Sequence, residues 1–302
     1  MTQTLKLSTT VLCTAVSPEP SEALLRLDDT GLSVRGPELA EAAKLEEIFD
    51  VRIGRPPQAA RQAFSGTVLT VGFERGGQRV VLFVDGEEAT LERVRGVLFR
   101  RLLDGTEVAM CHPATIGGRV TTRRFDIGEL RVTPGKVGCT GIKQPLHIDI
   151  GDIAAVNRSE RELLGRLEPT VELQYVKHGV VVGVYLSLNP PRKLNLLGRL
   201  LRSEYRHLTR QLHELDPPTA VVRVLTRLYP RGGSTDSGAV LAAESTDPES
   251  LLRTLRSNDL VELVDGNVRL TMRGWILVIE RVSTVTVPYR RPSETSGDLQ
   301  FE

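Results

Sequence analysis

The feature that most constrains this chain is that its first two thirds read twice. An apolar segment, Leu24-Leu-Arg-Leu27, runs into Gly31-Leu-Ser-Val34; later, Arg124-Phe-Asp-Ile127 runs into Gly128-Glu-Leu-Arg-Val132. Leu45-Glu-Glu-Ile-Phe-Asp-Val51 is matched by Ile148-Asp-Ile-Gly-Asp-Ile-Ala-Ala-Val156. A hairpin pattern follows in each copy. In the first, Thr67-Val-Leu-Thr-Val71 and Val80-Val-Leu-Phe-Val84 flank Gly76-Gly77; in the second, Thr170 to Tyr175 and Val180 to Leu186 flank His178-Gly179. The copies stand 97 residues apart at the glycines and 103 at the hairpins, which predicts a few residues inserted in the second copy.

Each copy ends in an amphipathic helix. Leu91, Val94, Leu98 and Leu102 share one face, with a stop at Gly105; Leu194, Leu197, Leu201, Tyr205, Leu208 and Leu212 form a longer stripe, stopped at Asp216-Pro-Pro218. A half-exposed antiparallel sheet needs an apolar cover on one face, and a terminal helix supplies it. Strands, a hairpin and a capping helix within about a hundred residues describe a pleckstrin-homology-like (PH-like) module. The expectation is α+β, with two tandem PH-like modules at residues 1–105 and 106–216, each closed by a helix. Two unrelated α+β domains would satisfy the same pattern.

The third segment, residues 217–287, has another grammar. Val221, Val224, Leu225 and Leu228 mark a helix over Ala220 to Tyr229, ended by Pro230-Arg-Gly-Gly233, and a short helix fits Gly238 to Glu244. Asp247-Pro248-Glu249 supplies an N-cap, a proline at the first helical position and an acid in the first turn of a helix buried through Leu251, Leu252 and Leu255. Asp265-Gly266 between Leu260-Val-Glu-Leu-Val264 and Val268-Arg-Leu270 is a strong hairpin signal. Thr271 then caps a last helix through Trp275. Three helices and a hairpin in that order predict a C-terminal winged helix-turn-helix. Residues 288–302 are polar and rich in Pro, Ser and Gly, which predicts a flexible tail.

With 302 residues the chain exceeds what one core usually fills. Hydrophobic residues at 40% and charged residues at 25% fit a folded globular protein and exclude a disordered or collagen-like chain. The longest uncharged run, His178 to Pro191, is 14 residues, too short to span a bilayer as a helix. Val11 to Val16 is too short for the apolar segment of a signal peptide, so a cytoplasmic location is expected. Cys13, Cys111 and Cys139 share no CxxC spacing and cannot all pair, which suits a reducing compartment.

Motifs for chemistry are scarce. His112, His147, His178, His207 and His213 form neither HExxH nor an HxH pair. Gly135-Lys-Val-Gly-Cys-Thr-Gly141 lacks the Gly-Lys-Ser/Thr ending of a phosphate loop and leads into no helix, so it reads as a turn between strands. Asp149 and Asp152 lie on the polar side of an alternating strand. Ser65-Gly66 is no nucleophile elbow. The residues predict no enzyme, no cofactor and no metal site.

Binding surfaces are the remaining expectation. The 39 basic and 38 acidic residues give a net charge of +1, against a polybasic membrane or nucleic-acid binder. On the third segment, Arg253 and Arg256 lie on the candidate recognition helix, and Arg269 and Arg273 on or near the wing. So few cations are marginal for phosphate neutralisation and favour protein docking over DNA, though a winged-helix transcription regulator with a PH-like sensory region is the alternative. Arg192, Lys193, Arg199, Arg202 and Arg206 form a basic edge on the second closing helix, which an ordinary solvated face would also explain.

Three stretches resemble the CheF family of archaeal taxis adaptors. They are Cys111-His-Pro-Ala-Thr-Ile-Gly-Gly-Arg-Val120 entering Phe125-Asp-Ile-Gly-Glu-Leu130, the helix Arg192-Lys-Leu-Asn-Leu-Leu-Gly-Arg-Leu-Leu-Arg-Ser-Glu-Tyr205, and the ending Leu270-Thr-Met-Arg-Gly-Trp275. The resemblance runs from about Leu24 to Val287. It implies a non-catalytic chemotaxis adaptor linking phosphorylated response regulator CheY, together with CheC and CheD proteins, to the cytosolic switch proteins of the archaellum motor. It assigns no contact residue, and homodimerisation is compatible with it. Haloarchaeal members are strongly acidic; the balanced charge here points to a non-halophilic archaeon.

Overall fold

The computed structural model describes residues 4–285, apart from 17, 18, 164, 214, 216, 245 and 246; at 59, 207, 208, 210, 211, 213, 239 and 281–285 only the backbone is described. The expected tail, the side chains of His207 and His213 and that of Leu208 lie outside the described parts. The fold is α+β. Contacts divide it into Met1–Asp216 and Pro217–Glu302.

The front unit contains the repeat in full. Its first half is β1 (Leu5–Cys13), β2 (Ser21–Leu27), β3 (Gly31–Arg35), β4 (Ala40–Lys44), β5 (Ile48–Gly54), β6 (Val68–Arg75), β7 (Gln78–Asp85) and α1 (Glu88–Leu103). Its second half is β8 (Glu107–Ile116), β9 (Arg119–Val120), β10 (Asp126–Thr133), β11 (Lys136–Thr140), β12 (Leu146–Asp149), β13 (Ile153–Leu163), β14 (Arg166–Lys177), β15 (Val180–Leu188) and α2 (Pro191–His213). The sheet orders are β4-β3-β2-β1-β7-β6-β5 and β12-β11-β10-β8-β15-β14-β13, the same path twice, with β9 a small addition on β8. Even irregularities recur. A 3-10 turn precedes β5 and β13, and each of those strands slips register in its first two residues, between Ile48 and Asp50 and between Ile153 and Ala155.

The structure corrects the alignment of the copies. Leu25 pairs with Val34 on β3, as Leu130 pairs with Cys139 on β11. Ile48 and Ile153 likewise hold equivalent places, so from β2 to β5 the offset is 105, not 97. The glycine match slipped by one strand: Gly31 opens β3, whereas Gly128 sits inside β10, the counterpart of β2. Both lie where a Cβ would strike a neighbouring strand's carbonyl, that of Ala43 and that of Thr140. Close backbone approach demands glycine in either strand, so the residue alone does not say which.

Alternation builds the core. In β2 the buried residues Ala23, Leu25 and Leu27 alternate with exposed ones, and β12 does the same with Leu146 and Ile148. The inward faces of both sheets join α1 and α2 in one continuous core. Against the sequence expectation of one stripe, α2 is apolar on two sides: Leu194, Leu197 and Leu201 are buried, and so are Leu196 and Leu200. It packs on β13 and β14 of its own sheet and on β5 and α1 of the other module.

The rear unit holds α3 (Thr219–Leu228), β16 (Ser234–Asp236), α4 (Ser237–Ala242), α5 (Pro248–Ser257), β17 (Val261–Val264), β18 (Asn267–Leu270) and α6 (Met272–Val285), with strand order β16-β18-β17. The Asp247 side chain accepts the Ser250 N–H at 3.1 Å, starting α5 as the sequence requires. Asp265 and Gly266 take φ of 50° and 78° in the two-residue turn between Val264 and Asn267. The last helix runs to Val285, well past Trp275, because Trp275 to Ile279 are all buried. Trp275 meets Tyr229 edge-on at 5.6 Å between ring centroids, and Gly233 leaves room for its indole.

Candidate interaction surfaces

Several charged side chains on α2 have partners elsewhere in the front unit. Arg199 meets Asp50 of β5 at 2.5 Å, Arg192 donates to the Glu46 carbonyl, and Lys193 donates to Thr106 Oγ1 at 2.9 Å. Burial, with Arg192 alongside, pushes the Lys193 ammonium down from its ordinary range. From the other side, Arg95 of α1 reaches Ser203 and Glu204 of α2 and lies 2.6 Å from Glu92. Its side chain is only 8% exposed, so these partners hold a charge that water scarcely reaches. The predicted basic edge is thus half engaged: Arg192 and Arg199 reach the first module, and Lys193 ties α2 to the residue before β8 of its own module.

Arg202 and Arg206 remain toward solvent, half-buried and exposed respectively. Arg202 is depressed by burial and then by Arg199, Arg158 and Arg206. Arg158 on β13, which donates to Asn195 at 2.8 Å, therefore belongs to this cluster. Sequence reasoning missed it because the strand and the helix are far apart in the chain, and Arg95 was missed for the same reason.

On the rear unit, Leu251 and Leu255 turn one side of α5 inward, and Arg253 and Arg256 stand exposed on that helix. Arg269 on β18 is exposed opposite Glu262, at 4.0 Å. Arg273, in the first turn of α6, is half-buried. Arg223 and Arg227, one turn apart on α3, both close on Glu244, whose side chain is 3% exposed. That pairing is structural. It fixes the end of α4 against α3.

The remaining chemistry-bearing residues are dispersed. Among the described residues no three His, Cys, Asp or Glu side chains gather to hold a metal ion. All three cysteines are buried and unpaired, and burial pushes each thiol up. His112 meets Tyr175 Oη at 2.9 Å; burial first, then Lys177 and Arg123, lowers its imidazole. Gly135 to Gly141 is a hairpin turn running into β11, as expected. No described helix is long and apolar enough to cross a membrane.

A doubled sheet module fused through both closing helices, followed by a small helical unit with a three-stranded sheet, is the architecture to which the family comparison applies. Residues 28–207 match the model of the family described as archaeal chemotaxis signal transduction system protein F, and the chain belongs to that family. It is 28% identical over 274 residues to taxis protein CheF2 of Halobacterium salinarum, covering 91% of this chain and 94% of that one. Taxis protein CheF1 of the same organism is 23% identical over 184 residues, 60% of this chain and 62% of that one. A solved Spt16D–Pob3N heterodimer covers 59% of this chain and 87% of its own at 14% identity, but its TM-score of 0.25 supports no argument. The chain is an archaeal chemotaxis signalling protein.

Proposed function

We propose that this protein is a non-catalytic adaptor that carries the state of a phosphorylated response regulator, CheY, to the cytosolic switch proteins of the archaellum motor, with CheC and CheD proteins as further partners. The observation that carries the reading is the match to taxis protein CheF2 over 91% of the chain, both units included. The architecture is consistent with it. The same seven-strand path closed by a helix, twice over and with β9 added in the second copy, supports a tandem PH-like reading of the front unit. The order α3-β16-α4-α5-β17-β18 supports a winged helix-turn-helix at the rear.

An adaptor reads a partner through different affinities for its two states, since equal affinity shifts nothing. In this reading the front unit meets the motor and the exposed arginines of α5 and β18, Arg253, Arg256 and Arg269, contribute to regulator contact, with Arg273 beside them and Arg202 and Arg206 available on α2. Binding of the organism's response regulator, with and without a phosphoryl mimic, tests it by interferometry. Phosphorylation should tighten binding by about 5- to 150-fold, the usual range of coupling. Arg253→Glu with Arg256→Glu should remove most of that gain. Equal affinity for both regulator states would overturn the reading. Salt-sensitive binding of duplex DNA in its place would support the transcription-regulator alternative.

A further inference from the structure

One surface of the front unit plays no part in the assignments above. Between α1 and the first half of β1 lies an open groove of about 770 Å³. Leu5, Leu7, Leu45, Val94 and Val97 give it an apolar floor. Lys6, Arg93 and Arg100 stand exposed on its rim, without ion-pair partners among the described residues. The carboxylates nearby are already engaged. Asp29 pairs with Arg101, and Asp104 accepts the Val132 N–H at 3.0 Å and lies 3.8 Å from Arg131. The groove is therefore positive in a chain whose overall charge is balanced.

One wall of the groove is a strand edge. Leu5 to Val11 pair with β2, but β7 reaches β1 only at Val11 to Cys13. Thr9 Oγ1 donates to the Asp85 carbonyl where β7 leaves the sheet, but along Leu5 to Ser8 no strand among the described residues lies on the other edge, which is where a sheet can recruit an added one. In the second module β15 reaches Val108 and Ala109, the places of Thr9 and Thr10, and the places of Leu5 to Leu7 fall before β8 begins, so only β1 carries strand beyond the pairing. Between Thr90 and Arg101, α1 rises roughly 17 Å, the length of about five extended residues.

We propose that this groove docks an extended acidic segment of a partner protein, in which Asp or Glu alternates with apolar residues. The segment adds to the open edge of β1, sets its carboxylates on Lys6, Arg93 and Arg100, and lays its apolar side chains on the floor. Alternation with period two is what such a strand offers to a wall charged above and apolar below. This inference does not require the partner to be the regulator.

The probe is a fluorescein-labelled octapeptide of alternating Glu and Val, compared with its Lys-Val inverse by fluorescence anisotropy on the full chain. The acidic peptide should bind, more weakly as salt rises, and the basic one should not. Lys6→Glu, Arg93→Glu and Arg100→Glu together should weaken binding at least tenfold with the melting temperature unchanged, whereas Arg35→Glu with Arg52→Glu should change it less than twofold. N-methylation of alternate peptide amides should abolish binding by blocking the strand edge. No binding, equal binding of both peptides, or insensitivity to the triple variant would overturn the proposal. So would loss, in that variant, of binding to phosphatidylserine vesicles or duplex DNA when the acidic peptide never bound. Regulator binding measured on the same variant separates this result from the adaptor reading, which survives if phosphorylation dependence persists.

Discussion

In the first module the outer pair Leu12 and Phe83, on β1 and β7, lies under Phe64 and Ala60 from the link between β5 and β6. In the second module the equivalent pair is Cys111 and Tyr185, and the cover is Phe125 from the link between β9 and β10. The scaffold beneath is the same; the cover comes from a different loop. The reason is length. Residues 55–67 are enough chain to fold back across the sheet, whereas β13 and β14 are joined so tightly that Leu163 pairs with Arg166. An apolar outer patch must be shielded, but sheet geometry does not specify by what. With no return loop above it, Tyr185 also takes the Arg161 guanidinium on its face, 4.4 Å from the ring centre.

The closing helices are alike in joining both modules: α1 packs on β5 and β6 of its own sheet and on β10 and α2 of the other, and α2 on β13 and β14 of its own and on β5 and α1 of the other. Leu197→Ala should therefore cost about 3–4 kcal/mol. Calorimetry should show the front unit shifting as one transition, as it should for Leu98→Ala in α1. A variant with two separated transitions would break the claim of a shared core.

The two covers can be weighed against each other by urea denaturation. Phe64 is 4% exposed, and Phe64→Ala should cost about 3 kcal/mol. Phe125 is half-buried, and Phe125→Ala should cost about 1–2 kcal/mol. Equal losses would mean that the loops shield their sheets equally well.

A smaller effect separates the modules by pH. The place next to Cys111 holds His112, and the equivalent place in the first module, next to Leu12, holds Cys13. Burial keeps the folded-state pKa of His112 below its unfolded value. As pH falls through about 6.5, the unfolded chain takes up a proton there that the folded chain resists, so stability drops; it is regained as pH rises. Cys13 has its thiol pushed up by burial and contributes nothing over that range. His112→Gln should flatten the acid limb of a melting-temperature profile, and an unchanged slope would assign it elsewhere.

Local signals were legible in the chain. Asp247-Pro248 and Asp265-Gly266 act on residues one to three positions away, so the start of α5 and the turn between β17 and β18 follow from sequence. The hairpins and both closing helices follow from period alone. The slipped alignment at Gly31 and Gly128 came from two glycines with one physical task in different strands. Arg199 illustrates the limit for the site: nothing near it in sequence announces Asp50.

What the sequence by itself determined is the repetition of a helix-capped sheet, the third unit after it and the lack of any compact catalytic motif, because these rest on periodicity and on contacts between near neighbours. Only the tertiary structure decided that α2 belongs to both modules, that half of its basic edge has partners within the front unit, and that β1 keeps an open edge beside a positive groove. Those outcomes depend on which surfaces meet across a hundred residues or more, and a side chain's type does not encode the partner that folding brings to it.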